Sequence, residues 1–443
     1  MGIALHHIDH DSVGQRPAPR RYAWTVFGVL FALMIMDYVD RQVVVSMFPH
    51  LKAHWNLSDG KLGALVSIVS ITVAIGTLPL SLIADRWSRV KSIFLMALAW
   101  SLATIACAFT QSYGQLLAAR SVVGLGEAAY GAAGAALLAT LFPARMRSTV
   151  LGAFLAAGLV GSVLGVIAGG VVAERWGWQA GFGVVGVPGL LLALLFVLVV
   201  RDYKTVALPV PGREAMAGSM PFRAIVAALL KPRTAIVTCI GGGLQLVMVS
   251  TTYAWLPSYF NRYWGLAPDQ AGLKTGLVVL MGGLGAVLWS VVADRLSAQR
   301  PRARLWVPAV AAILTTVFMC AAFGLLAPGA AQFALIIAGA TVMTGSIGPV
   351  CAVVVDVVHP GLRATAAACL SLAQNLLGLA AGPLLTGLLS DAFGLPLALS
   401  VVPVFCLLAA VLFVTAARSY ESDLEHIDAD VPYRGDALKP QAA

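Results

Sequence analysis

Apolar residues run through this chain in stretches of about 20, separated by short breaks that carry most of its Lys, Arg and Pro residues. At 1.5 Å per residue, a helical stretch of that length crosses a hydrocarbon core of about 30 Å. The pattern predicts twelve membrane-spanning helices, at 22–46, 62–84, 92–111, 116–141, 149–173, 180–200, 234–257, 271–293, 305–327, 332–356, 364–389 and 395–416. The expected fold class is therefore an all-α, multi-pass membrane protein.

Composition agrees. The chain is 59% hydrophobic and 11% charged, far from the roughly 25% charged residues of a soluble domain. A net charge of +9 raises the question of nucleic acid, and the placement of the basic residues answers it. With both termini on one side, 22 of the 29 Lys and Arg residues fall on that side, five (Lys52, Lys61, Arg175, Arg262, Lys274) on the other, and Arg41 and Arg120 within helices. This is the positive-inside bias of a protein whose termini are both cytoplasmic, not a nucleic-acid footprint. The expected location is the cytoplasmic (inner) membrane, and the expected state a monomer. The six cysteines, all in apolar segments without paired spacing, read as small core residues, and no metal site is expected.

Residues 201–233 interrupt the apolar rhythm with Pro209, Pro211, Pro221, Pro232 and six basic residues. They divide the chain into an N-terminal arm (1–21), a six-helix bundle (22–200), a linker (201–233), a second six-helix bundle (234–416) and a tail (417–443). The bundles echo each other. Ala84-Asp85-Arg86 recurs as Ala293-Asp294-Arg295, Arg147-Ser148-Thr149 as Arg363-Ala364-Thr365, and Glu174 with Gly177 as Asp391 with Gly394. Matches at nearly constant offset suggest a duplicated unit, an arrangement that places a substrate site between the halves near mid-membrane.

At these residues the chain resembles the major facilitator superfamily. Its 2/3-loop signature, G-x-x-x-D-R-x-G-R-[RK], corresponds to Ser81 through Lys91, with the Asp-Arg core kept and Ser in place of both glycines. The resemblance implies the twelve-helix facilitator fold, alternating access, and gating roles for Asp85, Arg86, Arg89, Asp294 and Arg295. Within that superfamily, Asp37-Tyr38-Val39-Asp40-Arg41 and the run from Arg120 to Tyr130 resemble two branches, the anion:cation symporters and the Spinster-like transporters; R-x-x-x-G-x-G-E-A-x-Y in the fourth span leans toward the latter. The drug-antiporter signature in the fifth span requires a Gly-Pro step, but Gly165 is followed by Val166.

The ions inside the spans carry the chemistry. A lipid-facing charge at mid-membrane costs about 2.5 to 3.5 kcal/mol even on insertion scales, so these groups are expected to face a common wet chamber. Asp37, Asp40 and Arg41 share one face of span 1, and Arg120 and Glu127 one face of span 4. Helical rise puts Asp37 roughly 22 Å and Arg41 roughly 28 Å from the cytoplasmic end, and Arg120 about 6 Å and Glu127 about 17 Å from the opposite one. Glu127, then Asp37, are expected to carry protons, with Asp40 a further candidate. Arg41 and Arg120 are expected to hold an anionic substrate group through the guanidinium fork. Asp40 and Arg41 lie nearest the surface and are the most open to a structural role. Tyr38, Tyr130, Gln245, Gln374 and Asn375 are further substrate-site candidates, and Gly382-Pro383 is expected to bend span 11.

No phosphate-cradling loop, nucleophile-base pair or intramembrane metal ligand set stands out, so neither ATP nor a cofactor is expected and a proton gradient is the expected energy source. The expected function is proton-coupled transport of a small organic anion, with symport favoured. A Spinster-like transporter of a lysolipid or other amphiphile is the alternative, and a transport-inactive receptor on the same fold another. An enzyme is not expected.

Overall fold

The computed structural model describes residues 20–201, 231–358 and 362–430, apart from the side chains of residues 82, 85, 86, 144, 145, 147, 148, 364 and 426–430. Twelve helices among the described residues are long and apolar enough to cross a membrane. They are span 1 (Arg20–Ser46), span 2 (Asp59–Ser81), span 3 (Arg89–Cys107), span 4 (Tyr113–Leu141), span 5 (Thr149–Trp176), span 6 (Trp178–Val199), span 7 (Arg233–Trp264), span 8 (Pro268–Ser297), span 9 (Ala303–Gly324), span 10 (Ala330–Asp356), span 11 (Thr365–Phe393) and span 12 (Leu395–Glu425). Twelve crossings return the chain to its starting side, so spans 1 and 12 begin and end at one end, here the terminus end; the opposite is the far end.

Two boundaries differ from the sequence expectation in an informative way. Span 7, expected to stop at 257, runs through Pro257 to Trp264, where Tyr259 and Phe260 are buried against the far-end core. The last helix continues to Asp430 into the expected tail. Polar contacts hold that extension: Asp423 accepts from the Thr234 backbone N–H at 2.9 Å, which caps span 7, and Arg302 pairs with Glu421 at 2.6 Å. Most of the expected linker, the N-terminal arm and residues 431–443 lie outside the described residues.

The buried apolar residues fall into three clusters. One is built only from spans 1 to 6 at the terminus end, including Leu30, Trp100, Tyr130 and Phe154. A second is built only from spans 7 to 12 at the same end, including Leu305, Val353 and Phe413. The third is shared and lies at the far end, where Val43, Phe48 and Leu62 meet Trp255, Tyr259 and Leu395. The halves are therefore joined at the far end and part toward the termini. Glycines permit that junction. A Cβ on Gly170 would lie 3.0 Å from the Pro268 carbonyl carbon, and one on Gly272 would lie 2.8 Å from Val166 O, so spans 5 and 8 touch backbone to backbone.

Spans 4 and 10 are each broken. Span 4 stops at Glu127 and restarts at Tyr130; span 10 stops at Met343 and restarts at Ile347. Carbonyls freed at the breaks find donors: Thr77 Oγ1 donates to Ala128 O at 3.0 Å, and Gln245 Nε2 to Met343 O at 3.0 Å. Gly177 and Gly394, one of the sequence echoes, share a backbone conformation (φ 82°, ψ 166° and φ 85°, ψ 152°) at the equivalent corners of the two halves. This region of positive φ favours glycine.

Span 11 shows what the Gly382-Pro383 step does. Residues Gln374–Ala380 form a π-helical segment ahead of the proline, which has no N–H to donate. Its carbonyls are taken up from outside: Ser250 Oγ donates to Gly378 O at 2.9 Å, and Ser67 Oγ, from the other half, to Ala380 O at 2.5 Å.

Candidate functional site: an ion cluster between spans 1 and 4

The cluster sits where the terminus-end core of the first half, which ends at Met34 in span 1, gives way to the shared core, which begins at Val39. Its position depends on glycines in span 4. A Cβ on Gly124 would lie 2.6 Å from Val69 O of span 2, and one on Gly126 would lie 2.7 Å from the backbone N of Trp100 in span 3. Span 4 is thereby drawn against both neighbours, and the helix ends at Glu127 with that carboxylate turned inward. Span 1 is set in the same manner by span 5, whose Gly161, Gly165 and Gly169 abut the carbonyl oxygens of Ile35, Val39 and Val43.

Two charge groupings result. Arg41 Nε lies 3.0 Å from Glu127 Oε2 and 3.4 Å from Asp37 Oδ1, so one guanidinium serves two carboxylates. Glu127 is within ion-pair distance but is not aligned for a hydrogen bond, and both its oxygens lack a hydrogen-bond partner within the protein. Arg120 Nη1 donates to Asp40 Oδ2 at 3.2 Å and reaches Asp40 O at 3.4 Å. Three carboxylates and two guanidiniums leave one negative charge unmatched.

Exposure separates these groups. The Arg41 side chain keeps 22% of its surface, whereas Asp37 keeps 5%, Arg120 1%, and Asp40 and Glu127 none. Asp40, one of the two groups expected nearest the membrane surface, is fully buried against Arg120, and Arg41 is the group of the five that is open to approach. Arg120, expected in the chamber beside Arg41, is instead sealed against Asp40. The face of span 4 that carries Arg120 and Glu127 points at span 1, and matched height along the membrane normal did not reveal that rotation. Beyond the end of span 1, Phe48 opens the short helix Phe48–Trp55, and its ring packs 5.3 Å from Trp255 of span 7.

Other expected site residues divide in the same way. Tyr38 is half-buried, with Arg41 5.5 Å above its ring and Gly158 against its edge. Tyr130 is fully buried and donates to Leu30 O at 2.7 Å, so it packs the first bundle rather than lining a chamber. Gln245 is fully buried at the span 10 break, where its amide donates to Met343 O. Gln374 and Asn375 open the π-helical segment, both half-buried, with Asn375 Nδ2 donating to Ser371 O at 2.9 Å. Cys107 and Cys406 are buried as expected, but Cys351 and Cys369 are exposed, a correction to their reading as core residues.

At the terminus end, the side chains of Asp85 and Arg86 lie outside the described ones. Arg89 is half-buried in the first turn of span 3, and Asp294 and Arg295 are exposed in the last turn of span 8. Asp356 of span 10 pairs with Arg304 of span 9 and lies 3.4 Å from the Tyr420 hydroxyl of span 12.

A second polar assembly, not anticipated, closes the far end. Asp59, the first residue of span 2, accepts from Arg262 of span 7 through both oxygens, at 2.6 and 2.8 Å. It also accepts from Lys52 at 2.6 Å and from Ser390 of span 11 at 2.6 Å. Asp391 in turn accepts from the backbone N–H groups of Asp59 and Gly60, at 2.7 and 2.8 Å, and so caps span 2 from the opposite half. The available signal was the Glu174/Asp391 echo, which marks a corner but names no partner.

Known proteins resemble this chain over most of its length. A family model described as Major Facilitator Superfamily matches residues 30–381. Protein spinster homolog 1 of Xenopus tropicalis is 29% identical over 84% of this chain and 73% of its own length. An MFS-type efflux pump of Mycolicibacterium smegmatis is 28% identical over 87% of this chain and 88% of its own. A bacterial homologue of the human lysosomal transporter Spinster, solved in an inward-facing and unoccupied conformation, matches with a TM-score of 0.83 at 21% identity, over 92% of this chain and 99% of that one. With the match running from the first span into the eleventh, the chain belongs to the Major Facilitator Superfamily of membrane transporters.

Proposed function

We propose that this transporter couples the movement of a small organic anion to that of a proton, and that Arg41 is the group through which the two are linked. The observation that carries the reading is the single guanidinium shared between Asp37 and Glu127, open on one side and closed on the other. One proton on Glu127 cancels the unmatched charge and frees one side of Arg41 for a carboxylate or phosphate, which the fork can grip in two places. Proton and anion then favour each other's binding by linkage, which yields symport. Asp37 serves as the second proton site. Asp40, locked to Arg120, fixes spans 1 and 4 in register. Tyr38 and Asn375 flank the anion.

The protein spans the cytoplasmic membrane with both termini in the cytoplasm, following the basic-residue bias, so the closed far end is the outer one. The Asp59–Arg262–Asp391 assembly is then the outer gate in its closed state, and transport requires it to break. Asp85, Arg86, Arg89, Asp294 and Arg295 form the opposing cytoplasmic gate.

A second reading is supported about as well: an amphiphile with an anionic headgroup, such as a lysolipid, held at Arg41. Similarity to the spinster homologue favours it, and so does the apolar face of Tyr38 beside the guanidinium. A thermal-shift screen of purified protein chooses between them. Stabilisation by monocarboxylates or aromatic acids, lost in Arg41→Ala, supports the first reading, and stabilisation by lysolipids alone supports the second.

A further inference from the structure

Glu127 stands at the edge of the gap in span 4, and the chain across that gap is held from another helix. The first piece of span 4 ends at Glu127 and the second begins at Tyr130. The restarted helix takes its first acceptor at Ala129 O, from the Ala133 N–H at 3.0 Å. Ala128 O, one residue past the carboxylate, is instead met by Thr77 of span 2, whose Oγ1 donates to it at 3.0 Å. The same hydroxyl reaches Val73 O of its own helix at 2.6 Å. A hydroxyl carries one hydrogen, so the bond to Ala128 O alternates with the bond to Val73 O, and giving up the first does not strand the donor. In the second half the carbonyl at the break, Met343 O, is held by the fully buried Gln245 amide. The hydroxyl with a second acceptor belongs to the half that carries the ion cluster.

Span 2 also packs against span 4 on both sides of Glu127. A Cβ on Gly124 would lie 2.6 Å from Val69 O, and one on Gly76 would lie 2.9 Å from the Ala128 Cβ. Val69, Thr72 and Gly76 fall on one face of span 2, opposite Gly60, Gly63 and Ser67, which meet span 11. The titratable groups that face Glu127 are Asp37, Tyr38, Asp40 and Arg41 of span 1 and Arg120 of its own span. Span 3 adds the Cys107 thiol beside Arg120 and Asp40. The residues of span 2 that touch span 4 carry no charge, so what span 2 controls is position. We propose that Thr77 is a positioning residue for Glu127: bonded to Ala128 O, its hydroxyl fixes the turn that holds the carboxylate 3.0 Å from Arg41. By returning to Val73 O it frees that turn, and Glu127 moves off the guanidinium once it has taken a proton. This inference deepens the proton-coupled reading above and rests on it.

The test is a pH titration of the full chain in lipid vesicles, followed by the carboxylic-acid C=O infrared band that Glu127→Gln removes. Thr77→Val keeps the shape of the side chain and removes the hydroxyl. Arg41 favours the charged form of Glu127, so a looser turn lets the band appear at higher pH. The expected rise in midpoint is about one pH unit, as for the loss of one hydrogen bond from the ionised arrangement. Thr77→Ala is the second variant, with the same expectation, and Thr77→Ser is expected to restore the wild-type midpoint. Thr72→Val is the control. Its hydroxyl lies on the same helix against span 4 but bonds its own backbone, at Ile68 O and Val69 O, and no shift is expected. Wild-type midpoints in both Thr77→Val and Thr77→Ala overturn the positioning role and leave proton coupling standing. An equal rise in Thr77→Ser or Thr72→Val overturns it as well, since packing and not the hydroxyl would then be responsible. No Glu127 band in wild type at any pH overturns the proton-coupled reading itself.

Discussion

Arg262 clasps Asp59 across the two halves, Nη1 to Oδ2 at 2.6 Å and Nη2 to Oδ1 at 2.8 Å, at the end where the two bundles share their core. A two-point, charge-assisted contact of this kind favours the state that makes it over any state that does not. Asp59→Asn weakens the clasp and its links to Lys52 and Ser390. The expected outcome is a shift of about tenfold in population toward a far-end-open state, from loss of hydrogen bonds to a charged group. Pulsed electron spin resonance between labels at residues 111 and 397 checks it: a longer distance component grows in the variant, and an unchanged distribution contradicts the prediction.

Span 4 depends on glycine for contact rather than for flexibility. Gly126→Ala is expected to lower stability by about 1–3 kcal/mol, the usual cost of forcing atoms into a packed interface, because its Cβ would lie 2.7 Å from the Trp100 backbone N. Gly114→Ala is the control, with nothing within 4 Å of the added carbon. Thermal melts in detergent should show a lower midpoint for the first and no change for the second.

The two arginines should separate stability from binding. Arg120→Ala leaves Asp40 buried without its partner and is expected to cost about 3–5 kcal/mol. Arg41→Ala, at a partly open position, is expected to leave the melting midpoint much closer to wild type while abolishing stabilisation by the anionic ligand. Melts with and without ligand read both, and equal loss of ligand response in a well-folded Arg120→Lys variant would contradict the assignment.

What was legible in the chain beforehand follows from what costs most in a membrane. Long apolar runs have one low-energy solution, so the spans have ends within a few residues of the expected ones except where burial of Tyr259 and Phe260 and the polar contacts after residue 416 carry a helix onward. Asp37, Arg41 and Glu127 stood out because ions inside apolar runs need partners. Their pairing was harder to read. Heights follow from 1.5 Å per residue, but the rotation of each helix is set by Gly124, Gly126 and the span 5 glycines, whose contacts lie on other helices. That is why Arg120 was placed in the chamber and found sealed against Asp40. The far-end clasp was hidden for a different reason: Asp59, Arg262 and Asp391 sit at helix ends, where charged residues usually meet water, and hundreds of positions separate them.

The most direct measurement of the central claim is uphill accumulation in proteoliposomes under an imposed pH gradient, comparing wild type with Glu127→Gln and using the acid that stabilises the protein most in the thermal-shift screen. Wild type is expected to concentrate the acid against its gradient. Glu127→Gln is expected to lose that accumulation while retaining exchange of the acid at equal concentrations on both sides. Accumulation by Glu127→Gln equal to wild type would contradict it.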